Sequence, residues 1–147
     1  METELIRRMQ EQQRVLRLAK QIRPSPGVPP GLVGLLGELD RLSGAECHSK
    51  ELAARTFLDP STVSRAVAQL VTLGFVERAP DPEDRRASVL AVTPPGREAL
   101  AEMNAWYGRV ITEALSDWTP VEIADFTALL ARFSRDMTDY LSREDAR

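Results

Sequence analysis

The chain has 147 residues, 43% hydrophobic and 28% charged, with a formal net charge of −3. This length suggests one domain, or a small domain with appended helices, able to bury a core without disulfides or metals. The single cysteine, Cys47, excludes an internal disulfide, and no apolar run approaches the roughly 20 residues of a membrane span.

In chain order, residues 2–22 are predicted to form a helix, with Leu5, Ile6, Met9, Leu16 and Ala19 at three-and-four spacing. The opening METELIRRMQEQQ lacks the apolar core of a signal peptide, so a soluble cytoplasmic protein is expected. Prolines in RPSPGVPPG forbid a continuous helix over residues 23–31. A short apolar helix follows over residues 30–42 and ends near Ser43 and Gly44, and ECH is read as an optional short strand. In SKELAARTF, Ser49 is the expected N-cap, with Leu52, Ala53 and Phe57 on one face.

DPSTVSRAVAQLVTLGF is the most informative segment. Asp59 and Pro60 suit a helix start, and Gly74 suits its end. At about 100° per residue, Val63, Val67, Leu70 and Val71 form an apolar stripe. Ser61, Thr62, Arg65, Gln69 and Thr72 gather on the opposite side. FVERA and ASVLAV then read as two β-strands joined by the seven residues PDPEDRR. Thr93-Pro94 opens a helix running to about Leu115, striped with Leu100, Met103, Tyr107, Val110, Ile111 and Ala114. TPVE pairs a capping box with a first-turn proline and opens a last helix carrying Ile123, Phe126, Leu130, Phe133, Met137 and Tyr140 or Leu141.

The order is a helix-turn-helix followed by a β-hairpin, which is a winged helix, set between long apolar terminal helices. The expected fold class is mainly α (α+β). The expected domains are an N-terminal dimerisation helix and linker (1–28), a DNA-binding lobe (29–96) and C-terminal dimerisation helices (97–147). A second copy of the chain is the simplest partner for the terminal apolar stripes. Charge is uneven: residues 1–48 and 49–97 each carry +1, whereas residues 98–147 carry −5. A nucleic-acid surface in the middle third must therefore come from placement of charge, not from bulk basicity.

Residues 49–96 resemble the winged-helix core of the MarR family, the multiple-antibiotic-resistance regulators. ELA (residues 51–53), STVSR (61–65), Leu70, GFVER (74–78), DRR (84–86) and LAVTPPG (90–96) carry the resemblance in order. The wing departs from the family's Asp-x-Arg-Asp-x-Arg pattern: Asp81, Glu83, Asp84 and Arg86 occupy that register, so Glu83 stands where the first arginine would be. The resemblance implies a triangular homodimer whose two lobes read a pseudopalindrome in double-stranded DNA. Many members are repressors released by small, often aromatic or anionic ligands bound between dimer body and lobe.

A recognition helix fits the major groove, where hydroxyl, guanidinium and amide groups meet base edges and phosphates. Arg65 is the expected guanine or phosphate contact and Gln69 a base-edge contact. Ser61 and Thr62 sit at the helix N-terminus, which favours phosphate, and Ser64 flanks the backbone. By the resemblance, Arg86 enters the minor groove and Asp84 holds its guanidinium. A carboxylate can do so through a bidentate pair. Arg85 is expected to meet phosphate or solvent, and Lys50 and Arg78 are expected at phosphates, although surface ion pairs would account for the last two equally well. Arg14, Arg17, Trp106, Tyr107 and Trp118 are candidates for an effector cleft. Cys47 is expected to be structural, and His48, the lone histidine, gives no metal site with one cysteine unless carboxylates supply the rest. No cofactor is expected. The segments carry no catalytic carboxylate motif, Ser-His-Asp set or Gly-rich phosphate loop, which argues against an enzyme. The alternative to a DNA-binding regulator is a winged helix used only for protein interaction, favoured by the acidic total charge.

Overall fold

The computed structural model describes residues 1–24, 27–42, 47–84 and 86–145. The element order is α1 (Glu2–Ile22), α2 (Val33–Arg41), α3 (Ser49–Thr56), α4 (Pro60–Thr72), β1 (Val76–Pro80), β2 (Ser88–Val92), α5 (Pro94–Ala114) and α6 (Pro120–Asp145). The chain divides into two compact units, Met1–Gly108 and Arg109–Arg147. The fold is mainly helical with one two-stranded antiparallel sheet.

The core lies in the first unit. Leu36, Leu52, Val63, Val67 and Leu70 are fully buried there, together with Leu90 and Val92 of β2 and Ala99 and Met103 of α5. Burying such a side chain contributes about 1.5–3 kcal/mol relative to leaving it in water. Three elements supply the helix-turn-helix stripe, and the hairpin closes over it. Its register pairs Val76 with Val92 and Pro80 with Ser88. Cys47 forms an isolated bridge with Leu90, whose N–H donates to the Cys47 carbonyl at 2.9 Å. The short strand expected at ECH is thus a single bridge at Cys47, and Glu46 lies outside the described residues, as do Ser43 and Gly44.

Local chemistry explains the element ends. Leu73 caps α4 and Gly74 follows at φ +81°. The Gly74 N–H donates to the Val71 carbonyl at 3.0 Å and the Phe75 N–H to the Leu70 carbonyl at 3.0 Å. These two bonds are the Schellman pattern, which consumes the carbonyls a helix end leaves open. Thr93 joins the hairpin to α5. Its hydroxyl donates to the Gly74 carbonyl at 2.6 Å and accepts the Gly96 N–H at 3.3 Å.

Three details differ from the sequence reading. The N-cap of α3 is His48, in extended backbone, and Ser49 is the first helical residue. Phe57 does not join Leu52 and Ala53 in the core. It is the left-handed cap of α3 at φ 54° and is 73% exposed, because the three-residue turn to α4 needs that conformation there. The apolar helix after the prolines begins at Val33, not residue 30, because residues 30–32 form a turn closed by the Leu32 N–H on the Pro29 carbonyl at 2.8 Å.

The helix α1 has no buried residue, and Leu5, Ile6, Leu16 and Ile22 are each more than half exposed. In the second unit, α6 likewise exposes Val121, Phe126, Leu129, Leu130, Tyr140 and Leu141. It opens with a capping box: the Thr119 N–H donates to Glu122 Oε2 at 2.8 Å, and the Glu122 N–H to Thr119 Oγ1 at 3.3 Å. Trp118 meets Phe126 edge-on at 5.7 Å between ring centroids. Among the described residues, no helix is long and apolar enough to cross a membrane.

Candidate nucleic-acid interface

The apolar stripe of α4 decides which face turns outward. Val63, Val67 and Leu70 are fully buried and Val71 partly so, while Ser61, Ser64, Arg65, Gln69 and Thr72 are exposed and Thr62 is half-buried. The helix therefore presents a polar flank, with the small Ala68 exposed among these side chains. Pro60 sits in its first turn after Asp59, as expected, but the Asp59 side chain makes no capping hydrogen bond. The first N–H groups of α4, beside Ser61 and Thr62, are thus not taken up by that carboxylate. Such free N–H groups favour an anion.

The hairpin loop, residues 81–87, is held by two acids. Asp81 Oδ1 accepts the N–H of Glu83 at 2.7 Å and of Asp84 at 3.2 Å. Asp84 Oδ1 in turn accepts the N–H of Arg86 at 2.9 Å. These are consecutive Asx turns, in which a short carboxylate replaces a backbone partner. Asp84 therefore meets Arg86 through its backbone, whereas the resemblance implies a grip on its guanidinium. Asp81 is buried, and the N–H groups of Glu83 and Asp84 hold its carboxyl below the ordinary range against the cost of burial. Arg86 is exposed, and Arg85 lies outside the described residues.

A groove of about 800 Å³ separates the start of α3 from this loop. Lys50, Arg78 and Arg86 line it together with Glu51, Asp81 and Asp84. Three separate elements thus bring three of the expected phosphate and minor-groove cations to one depression. Among the described residues, the side chains of Lys50, Arg65, Arg78 and Arg86 form no ion pair, whereas Arg7 and Arg8 on α1 are each paired twice. Cations without carboxylate partners keep their charge available for phosphates.

Two features escaped the sequence reading. The first is His48, whose ring joins the wing to α3: Nε2 lies 3.2 Å from Asp81 Oδ2 and Nδ1 lies 3.2 Å from the Ser88 carbonyl. Asp-Pro at the loop start was the available signal, because Asp favours the first position of a turn with Pro following. The second is Arg23. It is only 8% exposed, its Nε and Nη2 have no hydrogen-bond partner among the described residues, and its Nη1 is 3.5 Å from the Tyr107 hydroxyl. Its guanidinium stands 5.9 Å from the centroid of the Tyr107 ring, which packs edge-on against Trp106 at 5.0 Å. Arg14 and Arg17, the cleft candidates on α1, are exposed.

Cys47 is 1% exposed, and burial pushes its thiol up, with Glu51 adding to the shift. A buried thiol with a raised pKa is a poor nucleophile. Among the described residues, no group of three His, Cys, Asp or Glu side chains is placed to hold a metal ion.

Comparison with known proteins agrees with this geometry. A family model described as "MarR family" matches residues 27–87. A putative transcriptional regulatory protein for the hcr operon of Thauera aromatica is 31% identical over 119 residues, covering 81% of this chain and 70% of the relative. The crystal structure of MarR superposes with a TM-score of 0.66 at 25% identity, over 80% of this chain and 79% of that one. BpsR of Bordetella bronchiseptica, whose DNA binding is regulated by 6-hydroxynicotinic acid, gives a TM-score of 0.65 at 26% identity over 90% of this chain and 97% of that one.

Proposed function

Because the chain belongs to the MarR family of DNA-binding transcriptional regulators and is not an enzyme, we propose that it works as a homodimeric repressor in the cytoplasm, on a pseudopalindromic duplex. The outward polar flank of α4 carries the proposal. In it, Arg65 and Gln69 read base edges in the major groove, Ser61 and Thr62 hold a phosphate at the helix N-terminus, and Ser64 meets the flanking backbone. Arg86 enters the minor groove, where the potential is most negative. Asp84 supports it by fixing the backbone at Arg86. Lys50, Arg78 and Arg85 hold phosphates at the rim.

The same reading assigns residues 29–96 to the DNA-binding lobe and residues 1–28 and 97–147 to dimerisation. The exposed stripes of α1 and α6 support this: contiguous apolar faces of that kind mark association surfaces. Fluorescence anisotropy with duplex from the chain's own promoter tests the DNA reading. Specific binding should weaken steeply as salt rises, because phosphate contacts release counterions. Affinity no greater than for a scrambled duplex contradicts it and leaves a protein-interaction module.

Release by a small aromatic carboxylate completes the proposal. The buried Arg23 guanidinium has two N–H-bearing nitrogens unpartnered among the described residues, beside an aromatic pair. Leaving one such buried donor unsatisfied costs about 1–3 kcal/mol, and a carboxylate would satisfy both nitrogens. A thermal-shift series with small aromatic acids should raise the melting temperature of the wild type and not of Arg23→Gln. Equal shifts in both would remove Arg23 from the effector site.

A further inference from the structure

His48 is the only histidine in the chain, and it occupies a joint. Its backbone begins α3, with its carbonyl accepting the Leu52 N–H at 3.0 Å. Its ring reaches the wing, with Nε2 at 3.2 Å from Asp81 Oδ2 and Nδ1 at 3.2 Å from the Ser88 carbonyl. Both facing atoms are acceptors: a carbonyl has no proton to give, and Asp81 is ionised because backbone N–H groups stabilise its carboxylate. A neutral imidazole carries one N–H and satisfies one of these contacts, whereas the imidazolium carries two and satisfies both.

We propose that His48 is a positioning residue for the wing: its imidazolium latches Asp81 and Ser88 to the N-terminus of α3, and loss of one proton loosens the loop that carries Arg86. Asp81 is the hinge of this device, since the same carboxylate that meets His48 accepts the N–H groups of Glu83 and Asp84, and Asp84 accepts that of Arg86. The latch therefore runs in three links, His48 to Asp81, Asp81 to Asp84 and Asp84 to Arg86, from the helix-turn-helix to the minor-groove arginine. Among the described residues, Lys50 and Glu51 on α3, Arg78 on β1, and Asp81, Asp84 and Arg86 in the loop are the charged groups around the groove that His48 lines. Three are cations and three are carboxylates, so the carboxylate nearest the ring, Asp81, sets the local balance. The sign follows from the donor count: the imidazolium holds both acceptors and orders the wing, whereas the neutral ring holds one, so the ordering is greater at low pH.

The inference rests on the DNA-binding reading for its consequence but not for its geometry, so two readouts separate them. In the DNA-free protein, nitrogen-15 spectra follow the lone imidazole between about pH 5 and pH 8. The amides of Glu83, Asp84 and Arg86 should titrate with it, and should stop doing so in His48→Gln. Asp81→Asn keeps an acceptor for the Glu83 and Asp84 N–H groups while removing the charge, and should uncouple the loop in the same way. Duplex affinity should fall about fivefold as pH rises across this range, the size of one ordinary hydrogen bond, and both variants should flatten that profile. Loop amides indifferent to the imidazole, or a wild-type profile in both variants, would overturn the latch. Coupled titration with no duplex bound at any pH would uphold the latch and overturn the DNA reading.

Discussion

Gly74 and Gly96 show how two identical residues answer different demands. Gly74 has open space where a Cβ would go but sits at φ +81°, so its constraint is conformational. A Cβ at Gly96 would lie 2.4 Å from the Phe75 carbonyl oxygen and 2.7 Å from Val92 Cγ1, so its constraint is close approach of α5 to the hairpin. Gly74→Ala should cost roughly 1–2 kcal/mol from left-handed strain, with Gly74→Asn recovering part of it. Gly96→Ala should cost about 1–3 kcal/mol as overpacking, and Asn there should be worse still. Urea denaturation distinguishes the two patterns. At the wing, Arg86→Ala should weaken specific duplex binding by about 1–3 kcal/mol, and unchanged affinity in an anisotropy titration would remove Arg86 from the minor groove. Residue-scale chemistry was partly legible. The outward side of α4 followed from spacing alone, because buried valines at every fourth position leave no choice of face. His48, Asp81 and Arg23 did not, because each acquires its meaning from a partner brought close only by the fold.

The elements are set by their ends as much as by their stripes. Thr-Pro starts α5 and α6 alike, but only α6 adds the reciprocal glutamate. The Thr119 backbone N–H, then its side chain, hold the Glu122 carboxyl below its ordinary value of 4.5. A depressed carboxylate contributes its stability above the ordinary value and loses it as pH falls through the folded one. Losing the Thr119 cap in Thr119→Ala should cost about 1 kcal/mol at neutral pH, read as a lower melting temperature, and the gap to wild type should shrink in acid. A constant gap would mean that Glu122 does not act through Thr119. The start and end of α1 were legible residue for residue, since Pro24 and the prolines after it end any helix there. The start of α3 was misread by one position: Ser49 has the chemistry of a cap, but the bridge at Cys47 leaves the extended backbone at His48. Phe57 was misread because a turn of three residues forces a left-handed cap on whatever residue stands there, here a large apolar one that helical spacing would have buried.

At the scale of the whole molecule, a net charge of −3 conceals a division of labour. The acidic excess lies in the last third, while Lys50, Arg65, Arg78 and Arg86, unpaired among the described residues, lie in the winged helix. Composition could not reveal this, because the sum of charges is silent on which arginines already hold carboxylates. The terminal helices were legible as apolar stripes from their spacing, and those stripes are exposed on α1 and α6. In the proposed homodimer, a second copy would set two α4 flanks and two wings on one duplex. Hydroxyl-radical footprinting of the dimer on its promoter tests that arrangement most directly. Two protected half-sites about 10 base pairs apart are predicted, with the flanking minor-groove protection lost in Arg86→Ala. A single protected half-site, or protection in the minor groove that survives the substitution, would contradict it.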